Sequence, residues 1–397
     1  MRIVDISESY SPHGGGVRTY VHAKLAAAAA RGHDVTIVAP GRSDDERVVA
    51  GGRILTLASP RSPFDARYGL FASPRAVHAA VLAIAPDLVE GSSPWLGGHI
   101  AGTLPCDVPR VLVFHTDPVA VWAQTILSPR VGFDRVDRLM RPAWRGLASM
   151  SAKFDATVVS GLWLAQRLLA HGIRSPRVVP FGVDKSVFAG ARPDPELRAQ
   201  LLERCGLPPS AALVAVVGRL DPEKRVGMLI EAFARARVRR PMGLVIFGRG
   251  ALRRYYAGVA RRTPGVHLAG YVDGPAAMAA QLASCDALLH GGAAETYGMA
   301  VAEAICAGVP VVVPARGGAH ALYEPDHAEC YAPGDAAAAG AALLRLLARD
   351  PEALRAACAI KAAAIPSLDH HFGRLFELYA ELDRRGTQRG PGLRAVS

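Results

Sequence analysis

One stretch narrows the folds open to this chain, residues 293–310, which read A-A-E-T-Y-G-M-A-V-A-E-A-I-C-A-G-V-P. It parses as loop, helix and stop. Glu295 and Thr296 sit in a Gly/Ala-rich loop after the apolar run Ala287-Leu288-Leu289. Tyr297-Gly298 opens a helix whose buried side carries Ala300, Val301, Ala304 and Ile305. Gly308 suits the left-handed position that ends a helix, Pro310 lies beyond it, and residues 310–314 follow as a strand.

Backbone N–H groups at the start of such a helix point into the loop before it, and the helix dipole favours an anion there. Glu295 and Glu303 are eight positions apart. Even partly helical spacing, at ~1.5 Å per residue, spreads them beyond the ~5–9.5 Å that a hydrolytic carboxylate pair needs around one bond. Two glutamates so placed would hold different parts of one long ligand, such as the two sides of a sugar–diphosphate–ribose. The alternative is a capped surface helix with two unrelated glutamates.

The 397 residues exceed one ordinary core and predict two domains. No apolar run reaches the ~18–20 residues of a membrane span. The start, M-R-I-V-D-I, enters a strand pattern with no signal-peptide layout, and the six cysteines (106, 205, 285, 306, 330, 358) stand singly. Both features predict a reducing cytoplasm and no structural zinc. The net charge of +11 divides as +6 over residues 1–190 and +5 over residues 191–397. An excess spread over both halves is a poor match to a nucleic-acid groove.

Residues 2–6 predict a first strand, residues 11–17 (S-P-H-G-G-G-V) a Gly-rich loop, residues 17–30 a helix and residues 35–38 the next strand. The loop is not G-x-G-x-x-G, and so is a close-approach loop rather than a dinucleotide fingerprint. Further strands are expected at 54–57, 87–90, 111–114, 156–159 and 177–179. His115 directly follows the run V-L-V-F, at the strand end where open α/β sheets bind ligands. A lone histidine there is as readily structural as functional.

Residues 185–210, with Pro193, Pro195, Pro208 and Pro209, read as the connection to a second α/β unit. That unit begins with a strand at 213–217 and Gly218-Arg219-Leu220. Asp221 then caps a helix, Pro222 sits in its first turn, and its buried face carries Val226, Leu229, Ile230 and Phe233. Cations at Arg219 and Lys224 oppose the dipole of that helix, which makes sense if an anion such as a diphosphate sits between them. The plain alternative is a solvated pair. Strands at 244–247, 266–268 and 287–290 follow, with the turn G-Y-V-D-G at 270–274. Helices are expected near 336–348, 351–364 and 372–382, before a polar end at 384–397. Signatures of nucleoside-triphosphate loops, zinc peptidases, serine hydrolases and metal-bound diphosphates (D-x-D) are absent from the sequence.

Taken together, the motifs resemble the family 4 glycosyltransferases, retaining enzymes that use nucleotide sugars. The family's glutamate pair stands as Glu295 and Glu303, its V-G-R-L-x-x-E-K element as residues 217–224, its G-G-V loop as residues 15–17 and its G-V-D as residues 182–184. The match runs from residue 1 to about 380. Within the family it is most similar to bacterial mannosyltransferases related to those acting on phosphatidylinositol.

The resemblance implies an α/β fold of the GT-B type, two Rossmann-like domains with parallel sheets facing a central cleft. It places an acceptor-side domain at 1–185, a linker at 186–210 and a nucleotide-sugar domain at 211–366, with a last helix near 368–383 returning to the first domain. It also implies transfer of a hexosyl group from a nucleotide diphosphate sugar, GDP-mannose or a UDP-sugar, to a glycan or lipid-linked acceptor. Neither cofactor nor metal is expected. Carried over, Glu295 contacts sugar hydroxyls, Glu303 the ribose, and Arg219 and Lys224 the diphosphate. Gly15, Gly16, Val272, Tyr297, Gly298 and Met299 complete the donor site, and His115 faces the donor sugar. The chain departs from the family at Thr296-Tyr297, where Pro-Phe is frequent, and at Phe181, where Asn is common; Thr for Pro loosens the loop and bears on which sugar is accepted. Two further readings are an epimerase of related fold using the same diphosphate site, and a basic nucleic-acid binder, for which no stacking platform is visible.

Between Val119 and Lys153, apolar residues such as Trp122, Ile126 and Trp144 interleave with Arg130, Arg135, Arg138, Arg141 and Arg145. If this is one helix, Arg138, Arg141 and Arg145 share a face that would rest on an anionic membrane at the inner surface. A core-packed helix with solvated arginines is the alternative.

Overall fold

The computed structural model describes residues 1–12, 15–62 and 68–388. His13 and Gly14 of the expected Gly-rich loop, and the polar end past 388, therefore lie outside the described residues. The chain divides into two compact units. The first comprises Met1–Pro118, Leu139–Pro180 and Leu368–Ser397, and the second Val119–Arg138 and Phe181–Ser367.

The first unit contains strands β1 (Arg2–Ile6), β2 (Asp34–Gly41), β3 (Asp45–Val49), β4 (Gly52–Ala58), β5 (Leu88–Gly91), β6 (Arg110–Phe114), β7 (Ala156–Val159) and β8 (Arg177–Val178). They pair in the order β3-β4-β2-β1-β5-β6-β7-β8, and only β3 runs antiparallel to its neighbour. Sequences such as R-V-L-V-F read as continuous apolar runs because helices cover both faces of such a sheet. The edge strand β3 escapes that criterion. Its D-E-R-V-V sequence is exposed and charged, which blunts an edge against pairing with another chain.

The terminal helix Leu368–Gln388 runs past the expected end at 382, and its Phe372, Leu375, Phe376 and Tyr379 pack with Ile3, Val21 and Leu25 of this unit. Beneath it lies a buried charge cluster that no sequence period announces. Lys24 Nζ donates to Asp5 Oδ2 at 2.9 Å and to Glu90 Oε2 at 2.5 Å, and the Tyr379 hydroxyl donates to the same Glu90 oxygen. Burial and the neighbouring Glu90 push the Asp5 carboxyl up to about 6.

The second unit contains β9 (Ala212–Val217), β10 (Met242–Phe247), β11 (Val266–Gly270), β12 (Ala287–Leu289), β13 (Val311–Pro314) and β14 (Ala328–Tyr331). They form one parallel sheet in the order β11-β10-β9-β12-β13-β14, so all six carboxyl ends share one edge. One face is covered by the helix Val226–Ala236 through Val226, Leu229, Ile230 and Phe233, and the other by Met299–Cys306 through Val301, Ala304 and Ile305.

Three expectations change. Residues 186–210 are not a bare connection: helices Lys185–Phe188 and Pro195–Arg204 bury Phe188, Leu201 and Leu202 in the second unit's core. The helix expected from Asp221 onward is broken. Residues Pro222–Lys224 make one 3-10 turn, Arg225 takes a left-handed conformation (φ 52°), and the α-helix begins at Val226. Asp221 does not cap that turn, because its carboxylate accepts from the Ala251 N–H at 3.1 Å and pairs with Arg219.

The third concerns residues 119–153. A π-helical turn (Val119–Gln124) and three short helices (Thr125–Val131, Phe133–Leu139 and Arg141–Ser151) replace one long helix. Gly132, at φ 82°, separates two of them, and Pro142 opens the last. Arg138 therefore shares no helix face with Arg141 and Arg145, and Trp144 is buried. Among the described residues, no helix is long and apolar enough to cross a membrane.

Candidate active site

The carboxyl edge of the second unit's sheet gathers most of the residues singled out above. Strand β12 ends at Leu289 and delivers His290, Gly291, Gly292 and then Glu295. The turn after β9 delivers Lys224, whose Nζ donates to Glu295 Oε1 in a short, partly buried ion pair. Burial pushes the Glu295 carboxyl up, but the Lys224 ammonium outweighs it and leaves the carboxyl below its ordinary value. His290 Nε2 stands 3.6 Å from the same Glu295 oxygen.

Glycines shape the loop that holds Glu295. The Gly318 N–H donates to the Glu295 carbonyl at 2.6 Å, and a Cβ added at Gly318 would lie 2.2 Å from the Thr296 carbonyl. Gly298 takes φ 96° and lies against Ala319, where a Cβ would come within 2.9 Å of the Ala319 Cα. No other residue fits that turn without strain. The helix Met299–Cys306 starts from it and leaves the Met299 and Ala300 N–H groups at its open end.

Glu303, one turn further on, makes no side-chain hydrogen bond or ion pair among the described residues, and burial pushes its carboxyl up to about 7. A half-buried carboxyl without a partner is costly unless something else supplies donors to it.

Arg219 does not stand ready beside Lys224 as the sequence suggested. Its guanidinium pairs with Asp221 at 3.2 Å and Glu223 at 2.9 Å, so an anion would have to compete with two carboxylates for it. The Tyr297 ring is buried and meets Phe181 edge to face, so at the open edge Tyr297 can offer only its backbone. Val272 follows β11, half-buried against the core, beside Tyr271, whose ring carries the Arg249 guanidinium at 4.1 Å.

In the first unit, His115 follows β6 and its ring meets Tyr20 edge to face at 4.9 Å. Burial lowers its pKa to about 4, so it is neutral at pH 7. Gly15 and Gly16 open the helix Gly16–Ala29, and among the described residues a Cβ added at either would meet nothing within 4 Å. Packing against the described residues therefore does not explain these two glycines. Among the described residues no three His, Cys, Asp or Glu side chains gather as a metal site.

Sequence reasoning did not single out His290 or Gly292. The signal was available, since His290 follows an apolar strand just as His115 does.

Comparison with known proteins decides the family. Residues 14–187 match the family described as Glycosyltransferase Family 4, and residues 211–349 that described as Glycosyl transferases group 1. A GDP-mannose-dependent alpha-mannosyltransferase of Mycolicibacterium smegmatis is 32% identical over 335 residues, 82% of each chain. The chain belongs to glycosyltransferase family 4. This glycosyltransferase is also 27% identical over 377 residues, 92% of each chain, to a GDP-mannose-dependent alpha-(1-6)-phosphatidylinositol dimannoside mannosyltransferase of Mycobacterium tuberculosis. Its fold matches that of the sucrose-phosphate synthase from Thermosynechococcus elongatus, with a TM-score of 0.79 at 21% identity over 97% of this chain and 100% of that one. The Anabaena protein HepE, solved with UDP and glucose, gives 0.71 at 18% identity over 96% and 100%. The GT-B architecture follows, and the epimerase and nucleic-acid readings fall away.

Proposed function

We propose that this glycosyltransferase moves a mannosyl group from GDP-mannose to a lipid or lipid-linked glycan, with retention and without a metal ion. The observation that carries the donor reading is the separation of two carboxyls along one edge: Glu295 held by Lys224, Glu303 without a partner. One suits sugar hydroxyls and the other a ribose diol. The mannose and guanosine parts are supported by the relatives, which are named GDP-mannose-dependent.

As the glycosidic bond lengthens, positive charge grows at the sugar and negative charge on the leaving diphosphate. Lys224 and the N–H groups at the start of Met299–Cys306 stabilise the second, and Arg219 joins them if the anion draws it from Asp221 and Glu223. Removing one such group typically costs ~2.7–4 kcal/mol. The acceptor's proton passes to the diphosphate oxygen on the face it leaves, which gives retention.

For the acceptor, the relevant surface is the segment Val119–Arg138, where Trp122 is 51% and Ile126 58% exposed beside exposed Arg130, Arg135 and Arg138. Apolar and cationic side chains together suit anionic lipid at the cytoplasmic face.

Incubation with GDP-mannose, GDP-fucose, UDP-glucose and ADP-glucose, following donor consumption with and without excess EDTA, tests the reading. Consumption of GDP-mannose alone, undiminished by EDTA, is expected. Preference for a UDP- or ADP-sugar overturns the donor, and loss with EDTA that magnesium restores overturns the metal-free chemistry.

A further inference from the structure

The donor reading leaves one buried polar side chain at the edge unused. His290 is 4% exposed, and its Nε2 has no hydrogen-bond partner among the described residues. A buried ring nitrogen without a partner costs stability, so its retention needs a reason. Its main chain is fixed on both sides: the His290 N–H donates to the Val312 carbonyl at 2.9 Å, and the Tyr331 hydroxyl donates to the His290 carbonyl at 2.5 Å. These bonds hold the His290 backbone in place beside Glu295, and the ring's backbone neighbour is Gly292, which favours a protonated ring nitrogen.

What Nε2 faces is the Glu295 oxygen that Lys224 holds. The separation of 3.6 Å is too long for a hydrogen bond, which needs about 2.7–3.2 Å. A shift of the carboxylate by about half an ångström would close it. The line between the two groups is kept clear by Gly292, where an added Cβ would lie 3.0 Å from both His290 Nε2 and Glu295 Oε1.

We propose that His290 is a positioning residue for Glu295. Its Nε2–H takes up the carboxylate oxygen when Lys224 turns to the donor's diphosphate, and the second carboxylate oxygen is thereby held toward the sugar. This rests on the donor reading above. In the free protein Lys224 is the main partner of Glu295, yet the same ammonium is needed at the diphosphate. Once it divides its donors, the carboxylate would be free to rotate, and a one-ångström error in a group touching the reacting sugar is expensive. A neutral imidazole supplies a hydrogen bond without cancelling the charge of Glu295. Burial keeps the ring neutral, with its pKa lowered to about 4.

A packing role predicts something different, because a leucine of similar bulk would then serve. The test compares His290→Gln, which places an amide N–H near Nε2, with His290→Leu, which fills the space without a donor. Expected is a loss of kcat of roughly 10- to 100-fold in His290→Leu with GDP affinity kept and Tm kept or raised, and recovery of most of the kcat in His290→Gln. In a Glu295→Gln background the leucine substitution should add less than about twofold, since the two groups act as one unit. Equal losses in both single variants, or full activity in His290→Leu, overturn the proposal.

A second arm does not depend on turnover. In the wild-type protein, the 15N signal of His290 Nε2 should be that of a protonated ring nitrogen, and saturating GDP should shift it toward a stronger hydrogen bond. A bare Nε2, or a signal that GDP leaves unchanged, overturns the proposal even if His290→Leu fails to fold. If wild type consumes no nucleotide sugar at all, the donor reading fails while the nitrogen signal still decides the placement of His290.

Discussion

Phe181 and Tyr297 meet edge to face, with ring centroids 5.8 Å apart and planes at 81°. These are two of the positions at which the sequence departs from its family's usual residues, and the structure makes them one feature. Tyr297 immediately precedes Gly298 and the helix that starts the anion edge, and burial pushes its phenol up to about 12. The pair therefore braces the loop that a proline stiffens elsewhere in the family. We predict a coupling of about 0.5–1.5 kcal/mol between Phe181→Ala and Tyr297→Ala in urea unfolding. Additive losses would show that the rings touch without bracing anything.

Lys224→Met should lower transfer about 100- to 1000-fold if, as proposed, Lys224 is a cation at the leaving group. It should also destabilise the protein, because Glu295 is left partly buried without its partner. Adding Glu295→Gln should restore Tm but not activity. Recovery of both would mean that Lys224 acts on folding alone.

Glu303 sets a pH dependence. Its folded-state pKa of about 7 lies above the ordinary 4.5, so the folded protein binds this proton more tightly than the unfolded chain. The stability it contributes is complete below about 4.5 and is lost as pH rises through about 7. Glu303→Gln should therefore match wild type near pH 5 and exceed its Tm near pH 8. Nucleotide affinity should move the other way, because the proposed ribose diol would donate to the carboxylate. GDP should bind wild type several-fold more tightly at pH 8 than at pH 6, and Glu303→Gln with no such slope. Calorimetric titration at the two pH values checks this, and a slope retained by the variant would place the titrating group elsewhere.

The lipid surface is tested by sedimentation with phosphatidylglycerol vesicles. Wild type should pellet at low salt and less at high salt, each arginine near the surface contributing ~1 kcal/mol. Trp122→Ala/Ile126→Asp, at two exposed positions, should stay in the supernatant with Tm unchanged. A variant that pellets as wild type does would remove this segment from the acceptor side.

What could be read from the sequence was whatever a short period records. The apolar strands, the stop at Gly308 and the loop-then-helix at Glu295 each depend on neighbours within a few residues. The left-handed Arg225 was not legible, and neither was the bond from the Ala251 N–H to Asp221, 30 residues apart, which takes Asp221 away from capping its own turn. The segment 119–153 misled because arginines and apolar residues at helical spacing look alike on one helix or several, and Gly132 and Pro142 decide between them. Pairs such as Lys24 with Glu90, 66 residues apart, and Lys224 with Glu295, 71 apart, leave no local trace. Nor did the sequence show Arg219 already engaged by Asp221 and Glu223.

The division of labour between the two glutamates is tested most directly by titrating Glu295→Ala and Glu303→Ala with GDP and assaying both for mannosyl transfer. Glu295→Ala should bind GDP as wild type does and lose nearly all transfer, because its proposed contacts are to the sugar. Glu303→Ala should bind GDP at least about tenfold more weakly, the loss of a hydrogen-bonded charged group. Equal losses of GDP affinity in the two variants, or transfer retained by Glu295→Ala, would contradict the assignment.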